Sequence, residues 1–140
     1  MAVIDTRLKF GTAQAVTTTA ASTDTIDLGV DRNVGVGQPL YFVVQVTTAL
    51  DATDADETYA VELQTANNSA FNDGLETLVS IPLARGTAAG TLVWVAVPNT
   101  NKRHLRARYV HGGTTPTGSY TSFITSEHPP AWEAFPDAAN

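Results

Sequence analysis

The residues in this 140-residue chain that could do chemistry are three histidines, fourteen carboxylates and a short cluster of basic side chains. His104, His111 and His128 lie far apart and match no zinc-ligand spacing. There is no cysteine, which removes thiolate metal sites, a cysteine nucleophile and a disulfide framework together. No G-x-S-x-G elbow presents a serine nucleophile. Acid pairs such as Glu127 with Glu133, or Asp54 with Asp56, have the right groups for a two-carboxylate hydrolase, but nothing in the sequence fixes their separation. Residues 32–37 (R-N-V-G-V-G) carry two glycines without the following Lys-Ser/Thr, or the strand and helix, of a phosphate cradle, and read as a turn. The expectation is a protein that is not an enzyme and uses neither metal nor cofactor.

Two clusters stand out. Residues 50–57 hold Asp51, Asp54, Asp56 and Glu57. Such a run is either a solvated loop or a weak cation site, and it lacks the alternating acids and central glycine of a helix–loop–helix calcium loop. Lys102, Arg103, Arg106 and Arg108 are half of the eight Lys and Arg residues in the chain. On a strand, Arg106 and Arg108 share a face with His104, about 7 Å apart along the backbone. One use for them is pairing with the chain's own acids, such as Glu62, on adjacent strands. The other is contact with a second subunit or a partner protein, where arginine favours bidentate carboxylate pairing. A formal net charge of -6 and a pI near 4.8 argue against nucleic acid and against anionic membranes.

The elements that must position these residues are strands. The longest β-type run is 38–46 (Q-P-L-Y-F-V-V-Q-V), with Leu40, Phe42, Val44 and Val46 on one face and Tyr41, Val43 and Gln45 on the other. Both faces are largely apolar, which places this strand inside a sheet with cover on both sides or at a subunit contact. Further strands are predicted at 25–28, 58–65, 75–81 (ended by Pro82), 92–97, 104–110 and 119–125. Residues 1–10 form a short strand or an arm, and 14–21 an extended Thr/Ala/Val run. Between strands, 66–74 (A-N-N-S-A-F-N-D-G) is rich in turn formers, with Phe71 expected to tuck beneath it. Trp94, inside L-V-W-V-A-V, reads as core, with an exposed sugar platform as the alternative. No helical period persists. Seven or eight antiparallel strands at short spacing predict an all-β sandwich of jelly-roll type over residues 1–125, with extended terminal arms. A single domain of this length buries roughly 70% of its unfolded surface, enough for a core without staples.

Residues 126–140 (S-E-H-P-P-A-W-E-A-F-P-D-A-A-N) differ in kind. Three prolines exclude a regular helix or central strand, yet Trp132 and Phe135 make the segment too aromatic for an ordinary disordered tail. It is expected to fold back on its own domain or to anchor on a neighbour through Trp132 and Phe135. No apolar run is long enough to span a bilayer, and Asp5, Arg7 and Lys9 interrupt any signal-peptide core, so synthesis in the cytosol is expected.

Taken in order, several segments form a set. They are F-G-T-A-Q-A-V from Phe10, S-T-D-T-I-D-L-G from Ser22, G-V-G-Q-P-L-Y from Gly35, and V-E-L-Q-T from Val61 with N-S-A-F from Asn68. They continue with V-P-N from Val97, R-H-L-R-A-R-Y-V-H-G-G from Arg103 and T-G-S from Thr117. Over roughly residues 5–125 this set resembles the small capsid cement (decoration) proteins of tailed bacteriophages. The resemblance implies a β jelly roll that trimerises on the outside of an icosahedral head, made in the host cytoplasm and bound where major capsid proteins meet. It implies no catalytic residues, and it leaves the tail around Trp132 unmatched. Partner contacts are expected from Arg103, Arg106 and Arg108 and from Trp132 and Phe135, with strands 38–46 or 104–110 near the threefold contact. The rival classes are a carbohydrate-binding jelly-roll module for host-surface adhesion and a tail or fibre adaptor.

Overall fold

A computed structural model describes residues 8–30 and 39–126, and among these nine strands form two antiparallel sheets. They are β1 (Lys9–Val16), β2 (Ala20–Ala21), β3 (Ile26–Asp27), β4 (Tyr41–Thr48), β5 (Thr58–Ala66), β6 (Glu76–Leu83), β7 (Leu92–Ala96), β8 (His104–Gly112) and β9 (Gly118–Thr125). One sheet has the order β1-β9-β4-β7. The other has β2-β8-β5-β6, with β3 also paired to β8. The pairings are nested. β5 meets β6, β4 meets β7, β8 meets β2 and β3, and β9 meets β1. The chain is therefore one long two-stranded ribbon, and wrapping it adds the β4–β9 and β5–β8 ladders. That is a jelly roll, as the strand spacing predicts. It has nine strands rather than seven or eight because the run expected at 14–21 breaks: β1 ends at Val16 and β2 starts at Ala20 in the other sheet.

The corner between β1 and β3 is held by polar side chains. Gln14 donates through Nε2 to the Ala21 carbonyl at 3.0 Å and accepts the Thr23 amide at 2.8 Å. Ser22 continues the ladder between the two short strands: its amide donates to the Ala107 carbonyl, and its Oγ accepts the Ala107 amide. Each of these backbone groups that leaves one sheet thus finds a partner before the next begins.

The core lies between the sheets and follows the strand alternation. Phe42, Val44 and Val46 of β4 and Tyr120 and Ile124 of β9 face Tyr59, Val61 and Leu63 of β5 and Leu105, Ala107 and Tyr109 of β8, all buried. Phe10 meets Phe42 edge-on at 5.8 Å between ring centroids. The 38–46 prediction is met in its placement, since β4 is interior to its sheet, between β9 and β7, but the strand starts later, at Tyr41 beyond Pro39, and runs on to Thr48; residue 38 lies outside the described residues. Pro82 does not end its strand. β6 runs on to Leu83, with Pro82 opposite Ala60. β6 is an edge strand, and an edge tolerates a residue with no N–H to donate.

Candidate interaction surfaces

The basic cluster sits on the outer face of the β8–β5 sheet, and most of it is engaged with the chain itself. Arg108 Nη1 lies 3.2 Å from Glu62 Oε2, its register partner across the ladder. Arg106 donates through Nε to Gln64 Oε1 at 2.9 Å, and its guanidinium carbon lies 4.5 Å from the Phe71 ring centroid, over the ring. Phe71 is buried beneath the 66–74 turn, as its sequence context suggests, at a positive φ of 54° and edge-on to His104 at 6.2 Å. Arg103 grips Asp27 with two bonds, Nε to Oδ1 at 2.6 Å and Nη2 to Oδ2 at 2.9 Å. This fork, helped by the Gly29 amide, holds the Asp27 carboxyl well below the usual carboxylate range. Lys102 reaches Glu76 at 3.2 Å. β8 therefore brings Arg106 and Arg108 to one face with Glu62 and Gln64, while Arg103 is turned to β3. The internal-pairing use of these arginines is realised, and it leaves the half-exposed heads of Arg103 and Arg108 at the surface.

The opposite outer face, on the β4–β9–β7 sheet, is apolar at its centre. Val43 stands in register with Trp94 on one side and Phe123 on the other. Trp94 meets Tyr41 edge-on at 6.4 Å. Trp94 is not in the core. It is 41% exposed, with Leu92 exposed two residues before it. The run L-V-W-V-A-V is apolar throughout, so it hides its period; in the fold Val93 and Val95 pack inward and Trp94 points away. Tyr109 and Tyr120, the aromatics that a sugar-binding groove around Trp94 would need beside it, are fully buried on the inner side.

Those two tyrosines belong to a buried polar string that ties the sheets together. Tyr109 Oη and Ser122 Oγ are 2.6 Å apart across the core, and the Tyr109 and Tyr120 rings stack at 4.7 Å with 4° between their planes. Tyr120 Oη is 2.7 Å from His111 Nε2, and Tyr59 meets the His111 ring edge-on at 4.8 Å. Burial pushes the Tyr109 phenol up to about 12 and raises Tyr120 as well. It lowers His111, an effect the Pro116 carbonyl partly offsets. Groups held neutral inside a packed core act as pins. This string escaped sequence reasoning because its members come from three strands, and only the inward phase of β8 (Tyr109, His111) hinted at it.

The acidic run is a turn-rich loop between β4 and β5. Among the described residues no three metal-ligand side chains converge. Trp132 and Phe135 lie outside the described residues.

In comparison with known proteins, no curated protein sequence matches the chain. A chitosan-binding module from a chitosanase/glucanase of Paenibacillus sp. IK-5 aligns at a TM-score of 0.43 and 15% identity over 85% of this chain and 97% of the module. A chain of infectious bursal disease virus, Gx strain, aligns at a TM-score of 0.30 and 14% identity over 84% of this chain and 29% of the viral one. At these scores neither bears on function. Residues 10–124 match the Bbp16 family, a span that begins within β1 and ends within β9, and the chain belongs to that family.

Proposed function

We propose that this chain is a capsid cement protein of a tailed bacteriophage, which binds the outer surface of the icosahedral head as a homotrimer and holds the shell against internal DNA pressure. The observation that carries this reading is where the cement-like segments fall in the fold. The segment from Phe10 lies in β1, that from Val61 in β5 and that from Arg103 in β8, and Thr117-Gly-Ser opens β9. These are the paired ladders of both sheets, so the resemblance follows the frame of the jelly roll and not an isolated loop. Two surfaces suit such a role. The exposed Trp94, edge-on to Tyr41, offers apolar contact, and the Arg103 and Arg108 heads offer partners for capsid carboxylates. Rim ion pairs contribute little one by one, so affinity comes mainly from buried apolar area and from valency.

The test is to prepare heads lacking this protein. They should assemble, then lose DNA or break at lower temperature or under osmotic shock, and purified protein added back should restore them. Deleting residues 127–140, with Trp132 and Phe135, should weaken attachment while the jelly roll still folds. Undecorated heads of equal strength would overturn the reading. A carbohydrate-binding role is the second reading, favoured by the exposure of Trp94 beside Tyr41. Binding to a polysaccharide, abolished by Trp94→Ala, with no binding to expanded capsids, would put it in place of the first.

A further inference from the structure

The outer face of the β1-β9-β4-β7 sheet is covered where a lone sheet would leave it open. Val43 of β4 and Phe123 of β9 stand side by side in the ladder, in the outward phase opposite to Phe42, Val44 and Ile124. Neither joins the core between the sheets, yet Val43 is 0% and Phe123 2% exposed. Thr125, two residues on and on the same face, is buried too, so β9 is buried in both phases along its whole length. The other sheet shows interior strands without a roof. There the outward residues Ala60 and Glu62 of β5 and their ladder partners Val110 and Arg108 of β8 all stay part-exposed. Ladder neighbours flank a side chain but do not close the space above it. Tyr41, Trp94, Phe123 and Thr125, which share the covered face, each also make an interaction beyond the strand pairing and the Tyr41–Trp94 ring contact.

The cover comes from the same chain, because these side chains are buried in a single copy of it. Burial is deepest where β9 ends and thins away from it: Gln45 of β4 and Leu92 and Ala96 of β7 are exposed, and Trp94 is half-exposed. Ser126, the last described residue, follows Thr125 directly, so residues 127–140 leave from the edge of the covered patch. From Ser126 to Trp132 an extended chain reaches about 20 Å, against about 5 Å between neighbouring strands. The composition fits the task. Pro129, Pro130 and Pro136 favour an extended chain that forms no ladder, and Trp132 and Phe135 are large enough to roof a Val–Phe pair. Residues 1–7 enter beside Phe123, whose β1 partner is Lys9, and residues 31–38 lead toward β4, but neither segment carries an aromatic ring.

We propose that residues 127–140 fold back over their own sheet as a strap, with Trp132 and Phe135 covering Phe123 and Val43. The strap adds a third layer to the sandwich and stops short of Trp94, which stays available at the surface. It does not depend on the cement reading, and its test needs no capsid.

The experiment uses the full-length protein with Trp94→Phe, which leaves Trp132 as the only indole because the chain has two tryptophans. Its emission should be blue-shifted, and acrylamide should quench it several-fold less than in urea, equally at low and high protein concentration. Trp132→Ala and a chain ending at Ser126 should both lower the thermal midpoint by roughly 5 °C or more. Both should gain binding of a hydrophobic dye to the uncovered Val43–Phe123 patch, while deleting residues 1–7 should change neither property. An indole as open to quencher in the native protein as in urea would overturn the proposal. So would protection that vanishes on dilution, which would assign the cover to the tail of another copy. Stability and dye binding unchanged in Trp132→Ala, or altered equally by removing residues 1–7, would place the cover elsewhere and overturn it too. If the shortened chain fails to fold, the Trp132→Ala and dilution measurements decide.

Discussion

At the scale of single residues, the buried polar string decides two expectations. Tyr109 Oη and Ser122 Oγ satisfy each other in the core at 2.6 Å. Removing one partner strands the other, so Tyr109→Phe should cost about 1 to 2 kcal/mol in urea unfolding. The double variant with Ser122→Ala should cost less than the sum of the two single changes, because the second substitution removes the stranded group. His111 carries a pH dependence. Burial lowers its folded pKa below the ordinary 6.5, so below that pH the unfolded chain takes up a proton that the folded chain resists. Stability present above pH 6.5 is therefore lost as the pH falls toward the folded value. The urea midpoint should drop between about pH 7.5 and about pH 5.5, and the drop should shrink in His111→Gln, which keeps a polar group for Tyr120 without the titration. An equal drop in that variant would assign the effect to the carboxylates instead.

At the scale of elements, β8 does two jobs with its two faces. Leu105, Ala107 and Tyr109 point inward and carry the core, while Arg106 and Arg108 point outward and meet β5 and the 66–74 turn. The faces should respond differently. Leu63→Ala, facing this core from β5, removes a fully buried side chain and should cost about 2 to 5 kcal/mol. Arg108→Ala breaks a part-exposed pair with Glu62 and should cost under about 1 kcal/mol. If the cement reading holds, Arg103→Ala and Arg108→Ala should reduce capsid attachment more than they reduce the chemical unfolding midpoint. Attachment that tracks stability alone would remove these arginines from the contact.

At the scale of the whole molecule, the nested ribbon makes the jelly roll a fold of distant pairings, with β1 closing on β9 from the far end of the sequence. Such a topology must bring its ends together late. Its outer faces are then free to differ, one with paired charges and one with the exposed Trp94 beside Tyr41. If the cement reading holds, light scattering on a size-exclusion peak should report three chains. A monomer at high micromolar concentration would confine trimer formation to the capsid surface.

The sequence by itself determined what depends on local period and turn chemistry. Alternation placed Phe42, Val44 and Val46 on one face of a strand, turn formers bounded the 66–74 loop, and the spacing of strands announced a sandwich. A side chain's role could be foreseen where it depends on its immediate neighbours, as with Phe71 under its turn or Glu62 needing a cation. Only the tertiary structure decided which apolar face is the inner one. Trp94 sits in a run without polar residues to mark the phase, and β7 turns it outward because β4 and the core take Val93 and Val95. The partners of Arg103 and the Tyr109–Ser122 bridge were likewise out of reach of the sequence. Each joins or isolates groups by the folding of strands far apart in the chain, and hydrogen-bond partners act over a few ångströms of space whatever their separation in sequence.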